Sequence, residues 1–264
     1  FEGNQVWGQN IGMPDNHYGH GSSLIAYGEY VYVQYDDNTN PRLIALNAVD
    51  GSEAWVTQRH VISWASPVLA ETSMGMQLVL ASCEDAAGYD PLSGKELWLQ
   101  ECLGGEVGPS PAYSGDVVFV ANEYAVASAI KLSGTAEAVT PEIIWEYDYL
   151  LPEVSSPVAD GARFYIATSV GELVCLDGES GEELWAEELS NGFYSSPILV
   201  GDRIYILDME GTMYIARAGA EFELIGERAF GEATFATPAY LDGRIYVRTA
   251  EHLVCIGQAH ASNS

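Results

Sequence analysis

The segment DNHYGH, Asp15 to His20, places two imidazoles and a carboxylate within six residues. A divalent metal uses such groups when they converge, which here requires the loop to turn His17 and His20 back toward one point. The same side chains suit strand capping and hydrogen bonds to loop backbones, and no metal is expected. Glu106 and Glu153 stand in corresponding loops further along. If neighbouring loops brought them together, they would form a carboxylate pair for acid and base work; solvated loop carboxylates are the commoner case in so acidic a chain. Aromatic rings take similar places: Tyr18, Trp64 in ISWASP, Tyr194 and Phe235. Each offers a flat face on which a sugar, a peptide ring or a quinoid ligand stacks, or simply fills space. Ser22, Ser66, Ser110, Ser156 and Ser196 recur with the sequence period, so they read as structural hydroxyls at strand starts. No residue is assigned a catalytic role.

These residues share one kind of address, which the repeats define. LIALNAVDGSEAW (43–55), AAGYDPLSGKELW (86–98) and LVCLDGESGEELW (173–185) each read as an apolar strand, an Asp/Asn turn closed by Gly, and a strand ending in Trp. Looser copies run from ASAIKLSG through an insertion to Trp145, and in MYIARAGAEFELI, where Ile225 takes the Trp position. The inserted TAEAVT reads as a surface loop. Upstream of each copy lies a second unit, as in SSPVADGARFYIAT and SSPILVGDRIYILD, that reads as strand, Gly-containing turn, strand. One full repeat therefore carries four short antiparallel strands, the pattern of a propeller blade.

The expected fold is all-β: a six-bladed β-propeller forming one domain over 1–264, with blades near 17–58, 59–101, 102–147, 148–189, 190–229 and 230–258 plus 3–9. The last copy stops after its third strand, and GNQVWG at the start has the form of a fourth. Pairing the two would close the ring and remove its exposed edges. Trp7, Trp55, Trp98, Trp145 and Trp185 all fall at the fourth-strand address, which predicts packing between blades. Trp64 breaks that address. In a propeller the loop entering the first strand of each blade opens on one face, where ligands bind. His17, Tyr18, His20, Trp64, Glu106, Glu153, Tyr194 and Phe235 are the candidate ligand-binding residues of that face.

The repeat resembles that of quinoprotein alcohol dehydrogenases and of the propeller lipoprotein that assists outer-membrane β-barrel assembly in bacteria. It is most similar to the non-catalytic bacterial envelope propellers of this pyrroloquinoline-quinone-like group, in which MPDNHYGHGSS (13–23) looks at home. The catalytic branch is implied to have eight blades, a longer chain and adjacent cysteines beside the quinone. No Cys-Cys pair occurs here, and no segment matches that branch's calcium-binding or catalytic residues. Pyrroloquinoline quinone is therefore not expected as a cofactor.

Charge narrows the partners. With 38 acidic against 10 basic side chains, a formal charge of −28 disfavours nucleic acid and anionic membrane surfaces, both of which need clustered Lys or Arg. It favours a soluble monomer and suits a saline habitat, where self-repulsion is screened. No run of 18 apolar residues is present to span a membrane. A start at Phe1 without Met fits a processed secreted protein or a piece of a longer one. Cys175 and Cys255, in LVCLD and LVCIG, read as buried thiols at an inward position wanting a small side chain, while nothing in the spacing of Cys83 and Cys102 predicts a disulfide.

The function expected from this reading is binding or scaffolding in the periplasm or outside the cell, with a protein, peptide or saccharide held at the loop-lined face. The alternative is an enzyme, either a degenerate quinoprotein oxidoreductase or a polysaccharide hydrolase or lyase, working through His17, His20, Glu106 and Glu153. A purely structural subunit of a surface assembly is a third possibility.

Overall fold

A computed structural model describes residues 2–257 of the chain. Their strands form six antiparallel sheets, and the chain divides into two compact units, residues 1–148 and 149–264.

The first unit holds three four-stranded sheets whose strands lie in sequence order. They are β1 (Ile25–Tyr27), β2 (Tyr30–Tyr35), β3 (Arg42–Asn47) and β4 (Glu53–Gln58); β5 (Val68–Thr72), β6 (Gly75–Ala81), β7 (Asp85–Tyr89) and β8 (Glu96–Glu101); and β9 (Ala112–Ser114), β10 (Val117–Val120), β11 (Ala127–Thr135) and β12 (Ala138–Tyr147). The second unit holds β13 (Val158–Ala159), β14 (Arg163–Ala167), β15 (Glu172–Asp177) and β16 (Glu183–Glu188), then β17 (Ile198–Val200), β18 (Arg203–Leu207), β19 (Thr212–Arg217) and β20 (Leu224–Ala229). Its third sheet, β21 (Ala239–Leu241), β22 (Arg244–Arg248) and β23 (Leu253–Gly257), has three strands among the described residues.

The repeated Asx–Gly signature is a turn with a defined job. At Asn47, Asp90 and Asp177 the backbone carbonyl accepts from the Gly four residues on, while the side-chain oxygen accepts from the amide two residues on. Gly51, Gly94 and Gly181 sit at φ +72°, +70° and +76°, a region that only glycine enters without strain. The turn feeds the fourth strand with a bulge. In the first four sheets the shift falls immediately after the pairs Ala45–Trp55, Gly88–Trp98, Ala129–Trp145 and Cys175–Trp185. A small residue thus always faces the indole. A Cβ on Gly88 would lie 2.0 Å from Trp98 Nε1, which is why that position carries none.

Trp55 and Trp185 then reach the following sheet, as expected of inter-blade packing. Trp55 lies against Gly94, and Trp185 Nε1 donates to the Gly219 carbonyl at 2.9 Å. Within each unit the sheets meet face to face through fully buried side chains: Tyr32, Leu43, Leu78 and Tyr89 between the first two, and Tyr165, Leu173, Ile204 and Ile206 between the fourth and fifth. Burying a side chain of this size is worth about 2–3 kcal/mol, so these interfaces dominate stability.

Four expectations need correction. Ile225 occupies the bulge, and Gly226 takes the Trp address opposite Ile215; the nearby Phe222 packs back on Trp185 of the preceding sheet, at 5.2 Å. The insertion after Gly134 is not a loop, because β11 and β12 continue pairing out to Thr135 and Ala138, with Val139 buried in the core. Cys255 is exposed although Cys175 is buried: no fourth strand with an indole covers it among the described residues. Finally, 3–9 forms no strand. Trp7 is instead placed by its ring, which lies on Gly51 while Nε1 donates to the Ala48 carbonyl at 3.0 Å. Gln258 lies outside the described residues. All four cysteines are free thiols, so Cys83 and Cys102 do not pair.

Candidate functional site

The recurring serines hold the candidate loops side by side. In the first unit Ser23 N donates to Ser66 Oγ and Ser66 N to Ser110 Oγ, each at 2.9 Å. In the second, Ser156 N donates to Ser196 Oγ and Ser196 N to Thr237 Oγ1, also at 2.9 Å. A hydroxyl at the start of one first strand therefore anchors the backbone of the preceding one, the structural role expected of Ser66, Ser110 and Ser196. In the first unit Ser23 is the donor at this address, while Ser22 bonds locally to the Ser23 carbonyl. Above these serines, Trp64 N donates to the Val107 carbonyl at 3.0 Å, bringing the loop of ISWASP against that of Glu106.

Four expected residues from three separate loops meet there. His17 Nε2 lies 3.3 Å from Glu106 Oε1. The ring of His17 is 4.3 Å from Tyr18 and 5.1 Å from Trp64, and Tyr18 is 5.2 Å from Trp64. Asn16 Oδ1 accepts from Trp64 Nε1 at 2.7 Å, which fixes the indole and occupies its donor. A hydrogen bond to the Glu106 carboxylate, reinforced by its charge, raises the Tyr18 phenol above its ordinary value, so it stays a neutral donor. His17 and Glu106 are each about half exposed, at 51% and 48%, and Tyr18 is exposed. The cluster is thus an open, ring-walled carboxylate.

The other expected residues lie elsewhere. His20 is exposed and packs 5.8 Å from the Tyr35 ring, so it does not join His17 on a metal. Glu106 is engaged with His17 and Tyr18. Glu153, half-buried, belongs to the second unit. Tyr194 and Phe235 stand 6.1 Å apart in that unit, and Phe235, with Thr234, Ala236 and Arg248, lines an open pocket of 420 Å³.

Two polar groups escaped the sequence reading. In the first unit the Asp36 carboxylate is bonded by Arg59 Nε at 2.8 Å, Gln34 Nε2 at 2.7 Å and Ser63 Oγ at 2.8 Å, all buried. Burial opposes the Arg59 charge, but Asp36 outweighs it and holds the guanidinium ionised. In the second unit Glu232, Glu251 and His252 place one ligand atom each within 4.8 Å of one another. Glu232 already accepts from Thr249 Oγ1 at 2.6 Å and sits 2.5 Å from His252 Nδ1. Each group is completed by a residue about twenty positions away, Arg59 for Asp36 and Glu232 for His252, so no local motif announces it.

The repeated four-stranded meanders, the Asx–Gly turn and the Trp that crosses to the next sheet define a bacterial β-propeller of pyrroloquinoline-quinone-like repeats. The chain belongs to the family of outer membrane protein assembly factor BamB, whose model matches residues 2–101 and 132–220. It is 24% identical over 265 residues to the outer membrane protein assembly factor BamB of Salmonella typhimurium, covering 95% of this chain and 65% of that protein. A quinoprotein ethanol dehydrogenase of Pseudomonas aeruginosa is 26% identical over 162 residues, 61% of this chain and 23% of the enzyme. The crystal structure of BamB from Moraxella catarrhalis superposes with a TM-score of 0.71 at 15% identity, covering 96% of this chain and 75% of that one. The chain therefore spans 65% of the length of the BamB relative from Salmonella. Among the described residues no helix is long and apolar enough to cross a membrane.

Proposed function

We propose that this chain is a non-catalytic scaffold of the bacterial envelope, facing the periplasm, that holds a polypeptide partner at its loop-lined face during outer-membrane protein assembly. The observation that carries the reading is the cluster of His17, Tyr18, Trp64 and Glu106: an exposed phenol, a half-exposed imidazole, a partly buried indole and a carboxylate, drawn from three loops onto one surface. Exposed aromatic anchors of this kind are what polypeptide interfaces use. The family supports the assembly context, and the reading requires no quinone and no metal. Replacing Tyr18 with a photo-crosslinking residue in the living cell should capture an envelope polypeptide. The same replacement at the exposed Val49, in the turn between β3 and β4, should not. Equal capture at both positions, or none at Tyr18, overturns the proposal.

We propose further that the six sheets are blades of one propeller domain. Trp7 supports this, since it stands against Gly51 as Trp55 stands against Gly94, the place a preceding fourth strand would put it. A crystal structure with six sheets around one axis is the expected outcome, and an open arc would refute it.

A second reading has one observation in its favour. His17 and Glu106 are within hydrogen-bond reach, as an acid–base couple requires. It predicts that H17A abolishes a polysaccharide-cleaving activity of the purified chain; absence of turnover on a panel of envelope polysaccharides removes it.

A further inference from the structure

The proposed function leaves the chemistry of the polypeptide partner open. Resting on that function, we infer that the group seated on the His17–Tyr18–Trp64–Glu106 cluster is an arginine side chain of the partner polypeptide, its guanidinium paired with Glu106 and laid over the rings of Tyr18 and Trp64.

The carboxylate sets the sign. Glu106 is half exposed, and among the described residues its partners are an imidazole at 3.3 Å and a phenol, with no Lys or Arg against it. An apolar or anionic ligand covering this spot would strip water from an ionised oxygen and return nothing for it. A cation restores the lost hydration with a charge-assisted hydrogen bond.

The rings set the shape. Aromatic faces carry negative potential, so a cation placed over Tyr18 or Trp64 is attracted by them as well as by Glu106. Trp64 Nε1 is already committed to Asn16, so the indole offers its face rather than its donor. A planar guanidinium stacks on such a face and pairs with a carboxylate in its own plane at the same time, which a compact ammonium does less well. The surrounding field agrees, because a chain with 38 acidic and 10 basic side chains draws cationic segments toward it.

The test uses the whole chain labelled with 15N and a pentapeptide amide, Gly-Leu-Arg-Leu-Gly, alongside its citrulline analogue, which keeps the shape and loses the charge. The Trp64 indole resonance, assigned by its loss in W64F, reports binding. The arginine peptide should shift it saturably, the citrulline peptide should bind about fivefold or more weakly, and E106Q should bring the arginine peptide down to the citrulline level. The remaining indole signals show that E106Q is folded. Equal binding of the two peptides, or no effect of E106Q, overturns the arginine assignment and leaves the polypeptide reading standing. A shift with maltohexaose but with neither peptide, or no shift at all, overturns both.

Discussion

At the scale of single residues, Arg59 and Asp160 carry the clearest consequences. Arg59 is buried against Asp36 with side-chain exposures of 1% each. Truncating one partner of such a pair leaves the other charge uncompensated, so R59M should cost about 3–5 kcal/mol in urea unfolding followed by tryptophan fluorescence. D36L combined with R59M should regain part of that loss, because the orphaned charge goes with it. Asp160 behaves differently. Burial pushes its carboxyl up, but the Tyr165 hydroxyl, the amides of Ala162 and Arg163 and the Arg163 guanidinium together hold it below its ordinary value of 3.8. Its stabilisation is therefore complete above that value and is lost as pH falls through the lowered one. D160N should be less stable than the parent by about 1–2 kcal/mol at neutral pH, and the gap should close in acid. Neither residue was legible beforehand: Asp36 and Arg59 are distant in sequence with no shared motif, and Asp160 looks like any turn aspartate. The cluster of His17, Tyr18, Trp64 and Glu106 was legible as a set of loop addresses, because the repeat told which loops share a face. Its internal pairings were not, since side-chain rotamers decide them.

The elements are joined by a device that recurs and can be tested by itself. A first strand hangs by a backbone amide from the hydroxyl of the next, as Ser66 N does from Ser110 Oγ. Removing that acceptor with S110A leaves a donor unsatisfied, and the Ser66 amide should exchange with deuterium about tenfold faster. Unchanged exchange at Ser66 would mean that packing alone fixes the loops. The fourth strands show how far a repeat is readable. A Trp every repeat marks the strand, and the small residue opposite it follows from volume. Where the Trp is absent, the register is not readable from the pattern: Gly226 rather than Ile225 takes the address because the bulge consumes one residue. TAEAVT misled for a related reason. Its polarity resembles a loop, yet a two-residue turn at Ala136–Glu137 lets both strands extend, and Val139 points inward to a hydrophobic neighbour.

For the molecule as a whole, charge is the property with the largest untested effect. A formal charge of −28 on 264 residues repels itself in the compact state, so melting temperature should rise with sodium chloride as the repulsion is screened. A flat or falling response between low and near-molar salt would show that the carboxylates are already compensated locally. Composition and period alone determined that the chain is all-β and that its sheets are antiparallel meanders, four-stranded in five of the six among the described residues, with a Trp on the fourth strand of the first four. These follow from local rules: alternation, turn stereochemistry and the recurrence of one large ring. Tertiary structure alone decided that Trp7 is held by its ring and not by a strand, that Cys255 is exposed where its twin Cys175 is buried, and that His17 pairs with Glu106 while His20 turns to Tyr35. Each of those depends on a neighbour supplied from far along the chain, and a periodic pattern holds no record of which neighbour that is.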